Sequence, residues 1–183
     1  RHARVEPTTM SIDSLRADCA RCTGLCCVAL AFDASASFSF DKAAGEACPH
    51  LTNDDACGVH DELCARGLSG CASYDCLGAG QHVTAMLPGL HWRDDEVSAR
   101  LLFDTFRAMR LVHEFVELLS AAAQLPLNED ERHERDAWLR TLQPEEGWAA
   151  ETLSAFEHSA MPLQLRAWLA RVGARLRALQ FGK

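Results

Sequence analysis

The chain has 183 residues, 48% of them hydrophobic and 24% charged, with 26 acidic against 18 basic side chains and a net charge of −8. That length suits one ordinary domain or a small module joined to a second, and the composition excludes the disordered and collagen-like classes. The acidic balance argues against broad nucleic-acid binding. No segment approaches the roughly 20 apolar residues of a bilayer span, so no membrane association is expected.

In chain order, the opening "RHARVEPTTM" has arginines but no apolar region to follow them, and so does not read as a secretory signal. Residues 1–9, ahead of Met10, read as a tag or an upstream remnant. Ile12 to Ala20 suggests a short helix delivering Cys19 and Cys22, and "FDASASFSFDK" alternates Phe38 and Phe40 with serines, a weak strand or hairpin signal. Residues 11–90 form a cysteine-rich module, Pro88 and Gly89 punctuate its end, and residues 94–183 read as helix after helix.

The first long helix is capped by Asp94 or Asp95 and carries Leu102, Phe106, Met109, His113 and Val116 at four-three spacing, with Leu101, Val112, Phe115 and Leu119 widening the face. Pro126 ends it. Asn128 with Glu131 makes a capping box for the next helix, whose apolar side is Trp138, Leu139 and Leu142. Pro144 is expected to open a third helix anchored by Trp148, Leu153 and Phe156. After Pro162 a last helix carries Leu165, Leu169, Val172, Leu176 and Leu179. The expected fold is mainly α: a loop-rich, metal-bound cysteine module plus a small C-terminal antiparallel helical bundle.

From Met161 to Lys183 there is no Asp or Glu, while Arg166, Arg171, Arg175, Arg177 and Lys183 are present. Cations near a helix C-terminus are favoured by the macrodipole and commonly form a solvated face. The alternative is an acidic partner.

All nine cysteines lie between Cys19 and Cys76. An odd count, no visible secretory signal and the adjacent pair Cys26 and Cys27 argue against a disulfide framework and for a reducing, cytoplasmic setting. Metal is the stronger alternative. Cys19-x2-Cys22 is a knuckle in which one turn presents two thiolates, and Cys26 and Cys27 follow within reach. Adjacent cysteines point in different directions and serve a polynuclear site more easily than one tetrahedral ion. The supply of thiols suits two zinc sites, an iron–sulfur cluster or a copper(I) thiolate cluster.

The order C-x2-C-x3-C-C, then "CPHL", then "CGVH", then the pair in "GCASYDC" resembles the bacterial zinc- or iron-chelating cysteine-cluster family, the YkgJ-like proteins. The resemblance covers roughly residues 15–82. It implies Cys19, Cys22, Cys26, Cys27, Cys48, Cys57, Cys71 and Cys76 as metal ligands and leaves Cys64 outside the set. The module is also similar to the leader of some pentapeptide-repeat proteins, although no such repeat follows here, and to the cysteine-rich part of flagellin lysine methylases, which implies an iron–sulfur cluster. This chain departs from the pattern by one extra residue between Cys22 and Cys26, by His60 where tyrosine is usual, and by a longer gap from Cys57 to Cys71 without Arg-Pro.

Among other residues, His60 and His82 are candidate nitrogen ligands or hydrogen-bond donors, and His113 on the apolar stripe reads as a core histidine. His50 has no evident role. Tyr74, the single tyrosine, lies between two cysteines as a packing residue or an acid–base group. Phosphate-binding glycine loops, nucleophile elbows and zincin motifs are missing. The expected function is a cytoplasmic cysteine-ligated metalloprotein, an iron–sulfur or other polynuclear site with a redox or modification role. The alternatives are a structural zinc module whose helical half binds a protein partner, and a copper(I) carrier or metal sensor.

Overall fold

The computed structural model describes residues 15–181; residues 1–9, expected to be a tag or an upstream remnant, and the start of the helix expected from Ile12 lie outside them. The molecule is mainly helical, 58% by residue. Its α-helices are α1 (Leu25–Ala29), α2 (Ser69–Ser73), α3 (Ala79–Met86), α4 (Glu96–Ala121), α5 (Glu129–Leu142), α6 (Ala150–His158) and α7 (Met161–Phe181). No strand occurs among the described residues. The segment around Phe38 and Phe40 instead closes through isolated bridges, Phe32 to Lys42 and Ser35 to Phe38, because its serines and turn residues leave too few consecutive pairs for a ladder. Two compact units are present, one ending at Arg110 and the other beginning at Leu111, so α4 contributes to both.

In the first unit the short elements are held by aromatic and aliphatic contacts. The rings of Phe32 and Phe38 stack at 4.3 Å and Phe40 meets Phe32 edge-on at 5.3 Å. Phe38 and Phe40 pack on a small core of Val59, Leu63 and Leu68, joined by Cys57 and Cys71. The described part of the expected Ile12–Ala20 helix contains one turn of 3₁₀ helix, Cys19–Arg21, capped by the Asp18 carboxylate, which accepts from the Ala20 N–H at 3.2 Å.

α4 begins as its sequence suggests. The Asp95 carboxylate accepts from the Ser98 N–H at 2.8 Å, occupying one of the unpaired donors of the first turn. Leu102, Phe106, Met109, His113 and Val116 are all buried, as are Val112, Phe115 and Leu119; Leu101 is 38% exposed and lies off the face.

In the second unit the Asn128–Glu131 capping box of α5 is complete: Asn128 Oδ1 accepts from the Glu131 N–H at 2.9 Å and Glu131 Oε2 from the Asn128 N–H at 3.0 Å. Pro144 does not open a helix. It starts a turn in which the Gly147 N–H donates to its carbonyl at 2.9 Å, and Gly147 at φ +74° turns the chain away before α6 begins at Ala150. Pro162 does sit in the first turn of α7, where its missing N–H is tolerated.

The arginines of α7 are largely spent inside this unit. Arg175 donates from Nε to Glu131 Oε1 at 2.6 Å and from Nη2 to the Pro126 carbonyl at 3.0 Å. Arg171 and Trp168 Nε1 both donate to Glu134. The Arg166 guanidinium lies 5.4 Å from the Phe115 ring centroid. These contacts tie α7 to α5 and hold the Glu131 and Glu134 carboxyls below the usual carboxylate range, the hydrogen bonds from Arg175 and Arg171 being the largest causes. The helices leave an open groove of about 640 Å³ lined in part by Trp138, Ala167 and Trp168. Among the described residues no helix is long and apolar enough to cross a membrane.

Candidate metal centre

All nine cysteines are free thiols, Cys19 and Cys64 exposed and the other seven partly buried. The knuckle is built by two turns in succession. Cys22 N–H donates to the Cys19 carbonyl at 3.2 Å, closing the first. Gly24, at φ +69°, reverses the chain, and a side chain there would meet Leu51 Cδ1 at 2.9 Å. α1 follows, with Cys27 N–H on the Gly24 carbonyl at 2.9 Å. Leu25 and Val28 are fully buried and fix the rotation of this short helix, which sets Cys26 and Cys27 side by side with sulfurs 3.9 Å apart.

The later cysteines are brought back to this turn by backbone pairing. Cys48 N–H donates to the Cys27 carbonyl at 2.9 Å, Cys57 bridges to Leu51, and Cys71 on α2 belongs to the small core with Cys57. Cys76 precedes α3, its carbonyl accepting from the Ala79 N–H at 3.0 Å. The Cys19–Arg21 turn packs on α3, where Gln81 clamps it: Gln81 Nε2 donates to the Arg16 carbonyl at 2.8 Å and Oε1 accepts from the Asp18 N–H at 3.0 Å. Cys22 and Cys76 both lie beside Gly80. A Cβ on that residue would lie 2.6 Å from the Cys22 sulfur and 3.9 Å from the Cys76 sulfur.

Four of the thiols are held above the ordinary thiol range. Burial raises the Cys19 thiol, with added contributions from Cys26, Cys76, Asp18 and Cys57. Burial likewise pushes Cys22 up to about 11, with Cys26 and Cys76 adding to it. The hydrogen bond with Cys27 raises Cys26 most, followed by burial. Burial, then Cys48, Cys26 and Cys57, raises Cys71. Cys64 stands in the turn after His60–Glu62, exposed to solvent. As they stand, no three His, Cys, Asp or Glu side chains among the described residues are grouped closely enough to hold a metal ion.

A cation is built in beside these thiols. Lys42 is buried, and its ammonium donates to the carbonyls of Val28 at 3.0 Å, Ala43 at 3.1 Å and Glu46 at 2.8 Å. Burial lowers its pKa, while Cys48, Cys27, Glu46 and Cys26 act in the opposite sense. Its three donors are thus used to link the Cys27–Val28 turn to the loop leading into Cys48. Nothing in the residue pattern singles Lys42 out, except that it is a lysine in a loop between cysteines.

The histidines are placed differently from one another. His60 is exposed beside Asp61, the His50 ring packs edge-on against Phe40 at 5.8 Å, and burial lowers the His82 pKa. His113 is fully buried. Sequence reasoning passes over His91, which joins two loops: its Nε2 lies 2.8 Å from Asp55 Oδ2 and its Nδ1 accepts from the Arg93 N–H at 3.1 Å. Arg93 also donates to Asp55, and the Trp92 indole N–H donates to the Thr23 carbonyl at 2.8 Å. Both ring nitrogens of His91 are occupied, so this cluster buttresses the knuckle and offers no free base.

Cysteine sulfurs are donors of the kind thiophilic metals take, but no three of them are grouped closely enough among the described residues to hold an ion. Gly80 leaves room beside the Cys22 and Cys76 sulfurs, and the buried phenol oxygen of Tyr74, between Cys71 and Cys76, has no hydrogen-bond partner.

Fold and sequence together define a mainly helical, cysteine-rich protein. The uncharacterized protein YybG of Bacillus subtilis (strain 168) is 36% identical to this chain over 171 residues, covering 90% of this chain. The chain spans 59% of the length of that relative. No family model and no solved structure matches the chain.

Proposed function

We propose that the chain is a cytoplasmic, cysteine-ligated metalloprotein in which Cys19, Cys22, Cys26, Cys27, Cys48, Cys57, Cys71 and Cys76 hold a polynuclear metal site. The iron–sulfur cluster is the first choice of group, ahead of zinc and copper(I), and the role is redox or modification chemistry. The observation that carries this reading is the meeting of Cys22 and Cys76, from distant parts of the chain, over the one helical position of α3 that lacks a side chain. A bound cluster would supply one-electron chemistry.

The chain's own residues perform the holding. Leu25 and Val28 keep water from the inner side of the knuckle, Gln81 fixes the Cys19 turn on α3, and Lys42 keeps a positive charge near Cys27 and Cys48. Metal binding would also add stability to the cysteine-bearing unit.

The test is elemental analysis with an absorption spectrum on protein purified without oxygen and without added metal. Iron with a broad visible band supports the cluster. Colourless protein with about two zinc ions makes the site a structural zinc module, and copper makes it a thiolate carrier. Protein that holds no metal and takes none up contradicts the reading.

A further inference from the structure

Cys26 and Cys27 stand side by side on α1 with their sulfurs 3.9 Å apart, close enough for one thiol to donate to the other. Leu25 and Val28 of the same helix are fully buried, which turns the two cysteines onto a flank of α1 where both are only partly covered. The backbone that carries them is fixed on either side. Cys27 N–H donates to the Gly24 carbonyl at 2.9 Å, the Cys48 N–H donates to the Cys27 carbonyl at 2.9 Å, and the Lys42 ammonium donates to the Val28 carbonyl at 3.0 Å. The two sulfurs are thus held together before any ligand arrives, which lessens the ordering cost of binding one.

Among the described residues no group of three His, Cys, Asp or Glu side chains is close enough to hold a metal ion, so the pair suits a ligand that needs two sulfurs and no more. A direct bond between the sulfurs is ill suited to it. Adjacent Cα atoms across a trans peptide are about 3.8 Å apart, below the roughly 4.4–6.8 Å that disulfides span, so such a bond would be strained. One atom inserted between the sulfurs relieves that strain. The atom has to favour soft sulfur ligands, and its remaining valence has to be filled by a group of its own. Trivalent arsenic carrying one organic substituent meets both conditions.

We propose, beyond the metal reading and independently of it, that Cys26 and Cys27 form a two-thiol site for monosubstituted trivalent arsenicals. In the binding step an organoarsenic oxide reacts with both thiols. Two arsenic–sulfur bonds form, the two S–H bonds and the bonding of arsenic to its oxide oxygen break, and that oxygen leaves with the two protons as water. Arsenic stays trivalent, and no oxidant or reductant is consumed. The second arsenic–sulfur bond closes intramolecularly, which raises affinity over a single thiol by about 10²–10⁴.

Phenylarsine oxide, added at one equivalent to the full chain purified without oxygen, is the probe. Wild type is expected to keep one phenylarsenic group per chain in excess glutathione, a monothiol, and to release it to dithiothreitol. Alkylating the remaining thiols before that release, then mapping the peptides, is expected to find Cys26 and Cys27 protected. Cys26→Ser and Cys27→Ser should each bind about a hundredfold or more weakly, whereas Cys64→Ser should bind as wild type does. Protection of a different pair in wild type, or an adduct that glutathione removes, would overturn the proposal without reference to any variant, and undiminished binding in both serine variants would overturn it too. Metal content of the same untreated protein tests the metal reading separately. Arsenical uptake at Cys26 and Cys27 by a chain that holds no metal supports this proposal alone, and a metal-bearing chain without such uptake overturns this proposal alone.

Discussion

A side-chain carbon on Gly80 would come within 2.6 Å of the sulfur of Cys22. Glycine inside a helix is ordinarily unfavourable by about 1 kcal/mol relative to alanine, so its presence in α3 needs a reason, and the sulfur supplies one. Gly80→Ala should therefore fail to stabilise the protein. Overpacking costs about 1–3 kcal/mol, which offsets or exceeds the helix-propensity gain, and displacement of Cys22 should lower metal content. Urea unfolding and metal analysis of the variant check both; a more stable variant with full metal content would show that Cys22 moves freely.

Lys42→Met retains much of the buried stem and removes three hydrogen bonds to carbonyls. Loss of hydrogen bonds from a charged donor, leaving buried acceptors, predicts destabilisation of about 2–3 kcal/mol. Lys42→Arg should not restore it, because a planar fork does not match three carbonyls gathered around one ammonium. Equilibrium denaturation of both variants gives the answer, and wild-type stability in Lys42→Met would reduce the lysine to a packing role.

The carboxyls of Glu131 and Glu134 are held below their ordinary range chiefly by hydrogen bonds from Arg175 and Arg171. A depressed folded-state pKa contributes stability that is fully present above the unfolded value, near pH 4.5, and is lost as pH falls through the folded value. Thermal stability should thus decline as pH is lowered from about 5 toward 3. The decline should be shallower in a Glu131→Gln, Glu134→Gln variant, which starts lower at neutral pH. Equal slopes in variant and wild type would remove these pairs from the account.

Asn128→Ala removes the side-chain half of the α5 cap and should cost about 1 kcal/mol, seen as a fall of about 2–4 °C in melting temperature for a chain of this size. Asn128→Asp keeps an acceptor and should melt near wild type. An alanine variant with unchanged melting would show that the start of α5 is held by the Arg132 and Arg175 contacts instead.

The caps and stripes were legible in the sequence because they obey short-range rules. Asn128 and Glu131 stand three apart, and the Leu102 to Val116 series repeats with the helical period. Pro144 misled because its fixed φ serves a turn as readily as a helix start, and Gly147 decides which. The role of Leu101 depends on how wide a face its neighbours cover, which spacing does not define. Lys42 and Gly80 were out of reach for a different reason: one matters through carbonyls contributed by Val28, Ala43 and Glu46, the other through a sulfur far away in sequence. The cysteine series names the thiols, but only the folded chain shows that Cys22 and Cys76 share one spot on α3 while Cys64 faces solvent.

The central claim is that eight cysteines, and not Cys64, hold metal. Its most direct test is the amount of metal bound per chain in anaerobically prepared wild type, Cys22→Ser and Cys64→Ser. We expect metal to be lost from Cys22→Ser, together with thermal stability, and retained in full by Cys64→Ser. Equal metal content in all three proteins, or loss from Cys64→Ser alone, would contradict the account.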